Sequence, residues 1–258
     1  MTAVLGLSGL VATAALAGIA GAEIARHLRA ARAQEAAGLG DDEVTPLATR
    51  LVLIAAELRD TVRGLAACLG PPRPAGVGDA GTRVLVVTTS LAAHGCARHL
   101  AARLRREGWT DVELVRVGAR WPGFAAATAR LASVVARCPA RRVVVVAHGP
   151  AGLAARAVAT EHRRVRTLVT LGTPHARRPL GDPPPGVEAI AIASPDDPRL
   201  VPPGVAHWPG ACNLSIRGVG RLGMLSSPRV HVLVLESLSA PHVRSRPGST
   251  APEQDRHA

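Results

Sequence analysis

Hydrophobic positions change their period repeatedly between residues 83 and 238. Short, mainly apolar runs alternate with segments whose apolar residues recur at helical spacing. The runs predict strands over residues 83–87, 112–117, 143–147, 165–171, 187–193 and 212–216, and the segments predict helices over 97–107, 124–137, 150–160 and 229–238. Apolar strands separated by helices are typical of a parallel sheet covered on both faces. We therefore expect a doubly wound α/β domain, whose sites lie at the carboxyl ends of its strands.

The chain begins with a long uncharged segment. Residues 2–22 carry no charged side chain, and about 20 apolar residues can cross a bilayer as a helix. Arginines follow within residues 26–32, which favours a cytoplasmic position for the rest of the chain. A secretory signal is the alternative, because residues 20–22 resemble a cleavage site, although no basic residue precedes the apolar run. The pattern predicts a membrane anchor or uncleaved signal over residues 1–33.

The location expected for the protein follows from that choice. An anchor places it in a bacterial inner membrane with a cytoplasmic globular domain, whereas a cleaved signal would make it secreted or periplasmic.

Three further segments complete the predicted organisation. Residues 46–69 have the spacing of an amphipathic helix that lies on the domain or in a membrane interface. A stretch rich in glycine and proline, 70–82, indicates a linker, so we group residues 34–82 as helix and linker. The globular domain then spans 83–238. The polar residues 239–258 are expected to be a disordered tail.

Composition narrows the classes of partner. The chain has 31 basic and 19 acidic residues, a net charge of +12, and every basic residue is arginine. Such a charge suits an anionic membrane surface or nucleic acid. The arginines are scattered along the chain instead of clustered. The chain has one Phe, three Trp and no Tyr, and so few aromatic side chains do not favour stacking on bases. We therefore expect no nucleic-acid partner. The four cysteines show no C-x-x-C spacing, and no cofactor or metal is predicted.

Four segments resemble a known family. In chain order they are RVLVVTTSLAAHG followed by HLAARLRREGW, then VVVVAHGPAGLAAR, then LVTLGTPH, and last AIASPDDPRLVPP with GVGRLGMLSSPRV. Together they resemble bacterial α/β-hydrolases of the lipase and esterase type over residues 83–238. The resemblance implies a nucleophile on a strained strand-to-helix turn, followed later in the chain by an acid and a histidine.

The position of the nucleophile is occupied by a glycine. Residues 147–151 align with the G-x-S-x-G frame and place Gly149 where the serine is expected. Glycine tolerates the backbone angles of such a turn but has no hydroxyl to form an acyl-enzyme. The next residue normally donates a backbone N–H to the oxyanion, and here it is Pro150, which has none.

Other catalytic positions are altered as well. The resemblance implies that Thr88 and Thr89 replace a His-Gly pair that opens the oxyanion loop. It also aligns the catalytic histidine with Arg221, whose guanidinium cannot act as a base near neutral pH. Asp197 corresponds to the acid, with Asp196 as the alternative.

These substitutions predict a catalytically inactive hydrolase homologue, a pseudo-lipase or pseudo-esterase that acts as a membrane-tethered binding or scaffold module. An active esterase with rearranged residues is one alternative; Ser90, His94 and His148 lie near strand ends but lack the spaced partners of a triad. A structural protein of the membrane surface is the other.

Arg221 has two interpretations at this stage. It could form a salt bridge with Asp197. With the amides of Ala151 and Gly152 at the start of a helix, it could also hold an anion, such as an acyl carboxylate or a lipid headgroup. We expect His148 and His175 to be packed or loop residues without a role in proton transfer.

Overall fold

A six-stranded parallel sheet forms the centre of the protein. The computed structural model describes residues 2–36, 45–69, 81–118, 123–178 and 181–239, except for the side chains of residues 2–16, 35 and 69. The strands are β1 (Thr82–Thr88), β2 (Val112–Arg116), β3 (Arg142–His148), β4 (Val165–Leu171), β5 (Glu188–Ala193) and β6 (Cys212–Ser215). Their order in the sheet is β2-β1-β3-β4-β5-β6. The predicted mixed α/β architecture with a parallel sheet is confirmed.

Helices cover the two faces of this sheet. They are α1 (Thr2–Ala36), α2 (Leu47–Leu69), α3 (Leu91–Arg106), α4 (Phe124–Arg137), α5 (Ala151–Glu161), α6 (Gly223–Ser226) and α7 (Pro228–Ser239). Helix α3 begins six residues before the predicted start at residue 97. The reason is Ser90, whose hydroxyl accepts the amide of Ala93 at 3.2 Å and caps the helix.

Alternate residues of each strand supply two separate cores. Val84 and Val86 of β1 face a cluster that includes α3 and α7, whereas Leu85 and Val87 face a second cluster with α4 and α5. Successive side chains of a strand point to opposite faces, which explains why the central strands are apolar throughout. Each fully buried Val or Leu contributes about 1.5–3 kcal/mol relative to an exposed one.

The strand order places a crevice at one edge of the sheet. The chain passes from β1 to β2 on one side and then returns to β3 on the other side of β1. In doubly wound sheets ligands bind outside the carboxyl ends of the strands where the order reverses. Here that point lies between the ends of β1 and β3, close to Thr88 and His148.

Helix α2 is packed into the domain. Its Gly64 touches Gly95 of α3 so closely that a Cβ on Gly95 would lie 1.7 Å from the carbonyl oxygen of Gly64. A helix predicted to precede the globular domain is therefore in backbone contact with it. The strand predicted to begin at residue 83 also includes Thr82.

The carboxyl half of α1 also packs on the domain. Glu23, His27, Ala30 and Gln34 are buried at helical spacing. The Arg50 guanidinium of α2 joins the two helices by donating to the carbonyl of His27 at 3.2 Å and to the side chain of Gln34.

Within the described part of the chain, no helix combines the length and apolarity needed to cross a membrane. The side chains of residues 1–16, about half of the anchor predicted over 1–33, lie outside that part. Residues 70–80 of the linker predicted over 70–82 and residues 240–258 of the tail predicted over 239–258 also lie outside the described residues, whereas Ser239 is the last residue of α7.

Candidate functional site

Gly149 forms the corner between β3 and α5. Its φ is +58°, a left-handed conformation that glycine adopts without steric cost. Its amide donates to the carbonyl of Leu171 at 2.8 Å, and its own carbonyl accepts the hydroxyl of Thr173 at 2.8 Å. Pro150 follows directly, before α5 begins. The strand-to-helix corner predicted from the sequence is therefore present.

Arg221 lies against this corner. A Cβ built on Gly149 would be 2.5 Å from the Arg221 Nη2 atom. The Nη1 atom of the same guanidinium lies 4.0 Å from Asp197 Oδ2, and the side chains of Arg221 and Asp197 are 12% and 0% exposed. The structure thus brings Gly149, Asp197 and Arg221 together at the carboxyl edge of the sheet.

The two neighbouring aspartates have different surroundings. Asp197 accepts the Arg199 amide on Oδ1 at 2.9 Å, and its Oδ2 has no hydrogen-bond partner among the described residues. Asp196 instead accepts the Thr45 hydroxyl at 2.8 Å and the Gly218 amide at 2.6 Å. Asp197 is therefore the aspartate beside Arg221, and Asp196 holds the loop to the start of α2.

The charge of Asp197 is influenced by opposite effects. Burial raises the pKa of this carboxyl, and Arg221 opposes that increase. The 4.0 Å separation makes the contact an ion pair without a direct hydrogen bond.

A second buried carboxyl reaches the site from α2. Glu57 is 2% exposed and accepts the amides of Leu222 at 2.7 Å and Gly223 at 3.4 Å. Burial, followed by the charge of Asp197, raises the pKa of Glu57 to about 7, while the two amides and Arg221 oppose the increase. The apolar spacing of this helix predicted a different face as the buried one, and the sequence gave no sign that Glu57 belongs to the site.

His148 contacts the backbone of Arg221. Its Nε2 lies 3.0 Å from the Arg221 carbonyl oxygen, so Nε2 carries the proton and donates it. Nδ1 has no partner among the described residues. Burial, followed by Arg221, lowers the pKa of His148 to about 3. His148 is thus a fully buried neutral residue that fixes the backbone of residue 221.

The positions aligned with the oxyanion hole are closed or lack donors. Thr88 is 0% exposed; its hydroxyl lies 3.4 Å from His94 Nδ1, and its carbonyl accepts the Val117 amide at 2.9 Å. Thr89 is also buried. Pro150 has no N–H to donate.

Of the residues aligned with an anion pocket, Arg221 lines a cavity at this edge. Ala151 is fully buried. The amide of Gly152 donates to the carbonyl of Gly149 at 3.0 Å and is not free for a ligand. A Cβ on Gly152 would lie against the Thr173 hydroxyl, so close packing explains this glycine.

His175 belongs to a buried polar cluster away from Arg221. Thr170 donates its hydroxyl to the Ile190 carbonyl and therefore accepts from His175 Nε2 at 2.9 Å. Nδ1 then accepts from Arg156 at 3.0 Å, and the ring stacks on Trp208 with centroids 4.8 Å apart. Burial, followed by Arg156, lowers the pKa of His175 to about 3. The arrangement fixes the loop that follows β4.

Comparisons with known proteins give likenesses of structure. No family model matches the chain, and no curated protein matches it. Solved structures that match include a protein of Xanthomonas campestris pv. campestris assigned to the alpha/beta hydrolase superfamily, at 18% identity and a TM-score of 0.44, covering 61% of this chain and 99% of that one.

Two esterases are among the other matches. Polyneuridine aldehyde esterase is 12% identical with a TM-score of 0.46, over 62% of this chain and 100% of its own. The esterase domain from a Rhodothermus marinus protein is 17% identical with a TM-score of 0.41, over 63% of this chain and 86% of its own. These matches are to the class that the motifs resemble.

Proposed function

We propose that this protein is a membrane-tethered binding or scaffold module with an α/β-hydrolase-like fold that does not hydrolyse esters. The observation that carries the proposal is the position of Arg221. Its guanidinium fills the space beside Gly149 that a nucleophilic side chain would need, and it pairs with the buried Asp197. The corner retains its backbone geometry while its chemistry is replaced by an ion pair.

Each catalytic step lacks a group. Attack on an ester carbonyl needs a hydroxyl or thiol, and Gly149 has neither. Proton transfer needs a base that titrates near neutral pH, and the Arg221 guanidinium stays protonated. Stabilising the oxyanion needs the N–H that Pro150 lacks; loss of one such donor alone costs roughly 10²–10³ in rate.

The alternative, an active esterase with rearranged residues, has weaker support. The Ser90 hydroxyl caps α3, and the hydroxyl of Thr88, which lies near His94, is fully buried and so unavailable to a substrate. Among the described residues, neither Ser90 nor the Thr88–His94 pair is joined to the other groups that a nucleophile, base and acid triad needs.

The uncharged segment 2–22 supports the proposed membrane tether, because it is continuous with the part of α1 that packs on the domain. On this proposal the chain leaves the domain beside Arg221 and enters an inner membrane. Flotation with neutral lipid vesicles at physiological salt tests it: the full chain should float, and a version lacking residues 2–16 should not.

Activity is tested with the full chain, a panel of nitrophenyl esters and a fluorophosphonate probe for activated serines. We expect no turnover above background and no labelling. A matched variant, Gly149→Ser with Arg221→His, should gain measurable labelling if the corner retains hydrolase geometry. Ester turnover by the unmodified chain that is lost in Ser90→Ala would contradict the proposal.

A further inference from the structure

A cavity of about 400 Å³ opens over Arg221. It lies between α1, α2, the start of α3 and the loop after β5. Its volume is within the range of small-ligand sites, 300–1,000 Å³. The predicted anion pocket at the start of α5 did not include this space, because the packing of α1 against the domain was not evident from the sequence.

One wall of the cavity is apolar. Gly18, Ile19 and Ala22 of α1 line it, and Ala92 and Leu222 continue this surface on the domain. The three residues of α1 belong to the uncharged segment that precedes Arg26, so the apolar wall is continuous with the proposed membrane segment.

The lining of the cavity also contains three positively charged residues, each from a different part of the fold. Arg26 of α1, Arg199 of the loop after β5 and Arg221 all line the cavity. Arg26 pairs with Glu23, and Arg221 pairs with Asp197. Among the described residues, the guanidinium of Arg199 has no hydrogen bond or ion pair, and the residue is exposed.

These positive charges lie within electrostatic range of each other. Burial lowers the pKa of Arg221, Asp197 raises it, and Arg199 and Arg26 lower it further. The remaining acid of the wall, Glu57, has its carboxyl engaged by backbone amides. Of these three arginines, Arg199 is therefore the one whose guanidinium has no direct partner among the described residues, and it lines a partly apolar cavity.

We propose that this cavity binds a small amphiphilic anion, with a phosphate or carboxylate headgroup at Arg199 and an apolar tail along Gly18, Ile19 and Ala22. The inference rests on the proposed function, because a site without a nucleophile retains such a ligand unchanged. Guanidinium groups bind both headgroups by charge-assisted hydrogen bonds, and the tail is removed from water by the apolar wall.

Calorimetric titration of the full chain in phosphatidylcholine nanodiscs with hexyl phosphate tests the proposal. Hexanol and inorganic phosphate serve as tail-only and headgroup-only probes. We expect hexyl phosphate to bind more tightly than either. Arg199→Gln should weaken its binding at least about tenfold, the loss of one charge-assisted bond. Arg130→Gln, an exposed arginine on α4, should leave binding within about twofold.

A second pair of variants tests the space itself. Ala22→Trp fills the cavity and should abolish binding, whereas Ala33→Trp, on an exposed face of the same helix, should not. Any one of four results would overturn the inference. The two arginine variants could weaken binding equally, or Ala22→Trp could leave binding unchanged. Hexanol, or inorganic phosphate, could bind as tightly as hexyl phosphate. Fluorophosphonate labelling of the same samples separates the two failures, since labelling counts against the proposed function and absent binding counts against the ligand.

Discussion

Glu57 on the second helix accepts a hydrogen bond from the amide of Leu222 at 2.7 Å, across 165 positions of the chain. This bond places a buried carboxyl beside the residue that contacts Gly149. The helix that carries Glu57 is therefore part of the site, and the pH dependence of the protein should reflect it.

Glu57→Gln should change how stability depends on pH. The pKa of Glu57 is raised from 4.5 to about 7 by burial and Asp197, so between these values the folded chain holds a proton that the unfolded chain has lost. The contribution of Glu57 to the free energy of unfolding is therefore highest below pH 4.5 and falls as pH rises to about 7, because the buried Glu57 carboxyl must then ionise. Glutamine cannot ionise, so it avoids this loss of stability, which is about 3 kcal/mol.

The measurement is urea unfolding of both proteins between pH 4.5 and 8. The difference in unfolding free energy should move in favour of glutamine as pH rises. Glu161→Gln, at an exposed carboxylate, should follow the wild type. A difference that is constant with pH would show that Glu57 keeps its charge in the fold.

Gly149→Ser should destabilise the protein for two separable reasons. A serine at φ +58° carries roughly 1–2 kcal/mol of backbone strain, and its Cβ would displace the Arg221 guanidinium. Gly181→Ser serves as control, because Gly181 has φ +74° and no atom of the described residues lies within 4 Å of its Cβ position. Thermal unfolding should give a clearly larger loss at 149 than at 181.

The two contributions separate in the Arg221→Ala background. There Gly149→Ser should cost no more than Gly181→Ser, and the resulting coupling energy should be about 1 kcal/mol or more. Additive effects of the two substitutions would show that serine and the guanidinium coexist.

Arg221→Met should leave the carboxyl of Asp197 buried without its cation. Removing one member of a buried pair typically costs 3–5 kcal/mol. The pKa of Asp197, already raised by burial against the effect of Arg221, should rise further, so the loss of stability should grow as pH increases. Adding Asp197→Asn should recover at least about half of it at pH 8. Failure of that second change to restore stability would mean that the pair contributes through packing alone.

Gly95→Ala should be strongly destabilising, by about 3 kcal/mol or more, because the new methyl group would overlap the Gly64 backbone. Gly21→Ala, where no atom of the described residues lies within 4 Å of the added Cβ, should stabilise the helix by up to about 1 kcal/mol. Denaturant unfolding of both variants measures this. Similar stabilities would indicate that α2 can move away from α3.

The central strands could be predicted from sequence because a strand buried on both faces is mainly apolar. The run over β3 illustrates this, and its predicted and observed bounds differ by one residue at each end. The corner at Gly149 was also predictable, since only a few residue patterns allow a buried strand to turn directly into a helix.

The contribution of α2 could not be predicted in the same way. The apolar spacing indicated the wrong face as the buried one, since Leu47 and Leu51 are exposed whereas Glu57 and Asp60 are buried. The partners of Glu57 are backbone amides, which have no residue identity, and the contact between Gly64 and Gly95 depends on where two helices cross. The start of α3 was misplaced because a single hydroxyl at Ser90 fixed it, ahead of any apolar period.

The mutual exclusion of Arg221 and a side chain at position 149 constrains how this protein can evolve. A serine at position 149 would overlap the Arg221 guanidinium. A change of Arg221 to histidine alone would leave the buried Asp197 without its cation. Neither change provides a selectable intermediate by itself. On the proposed function, ester hydrolysis would need both replacements together with a residue at position 150 that can donate a backbone N–H.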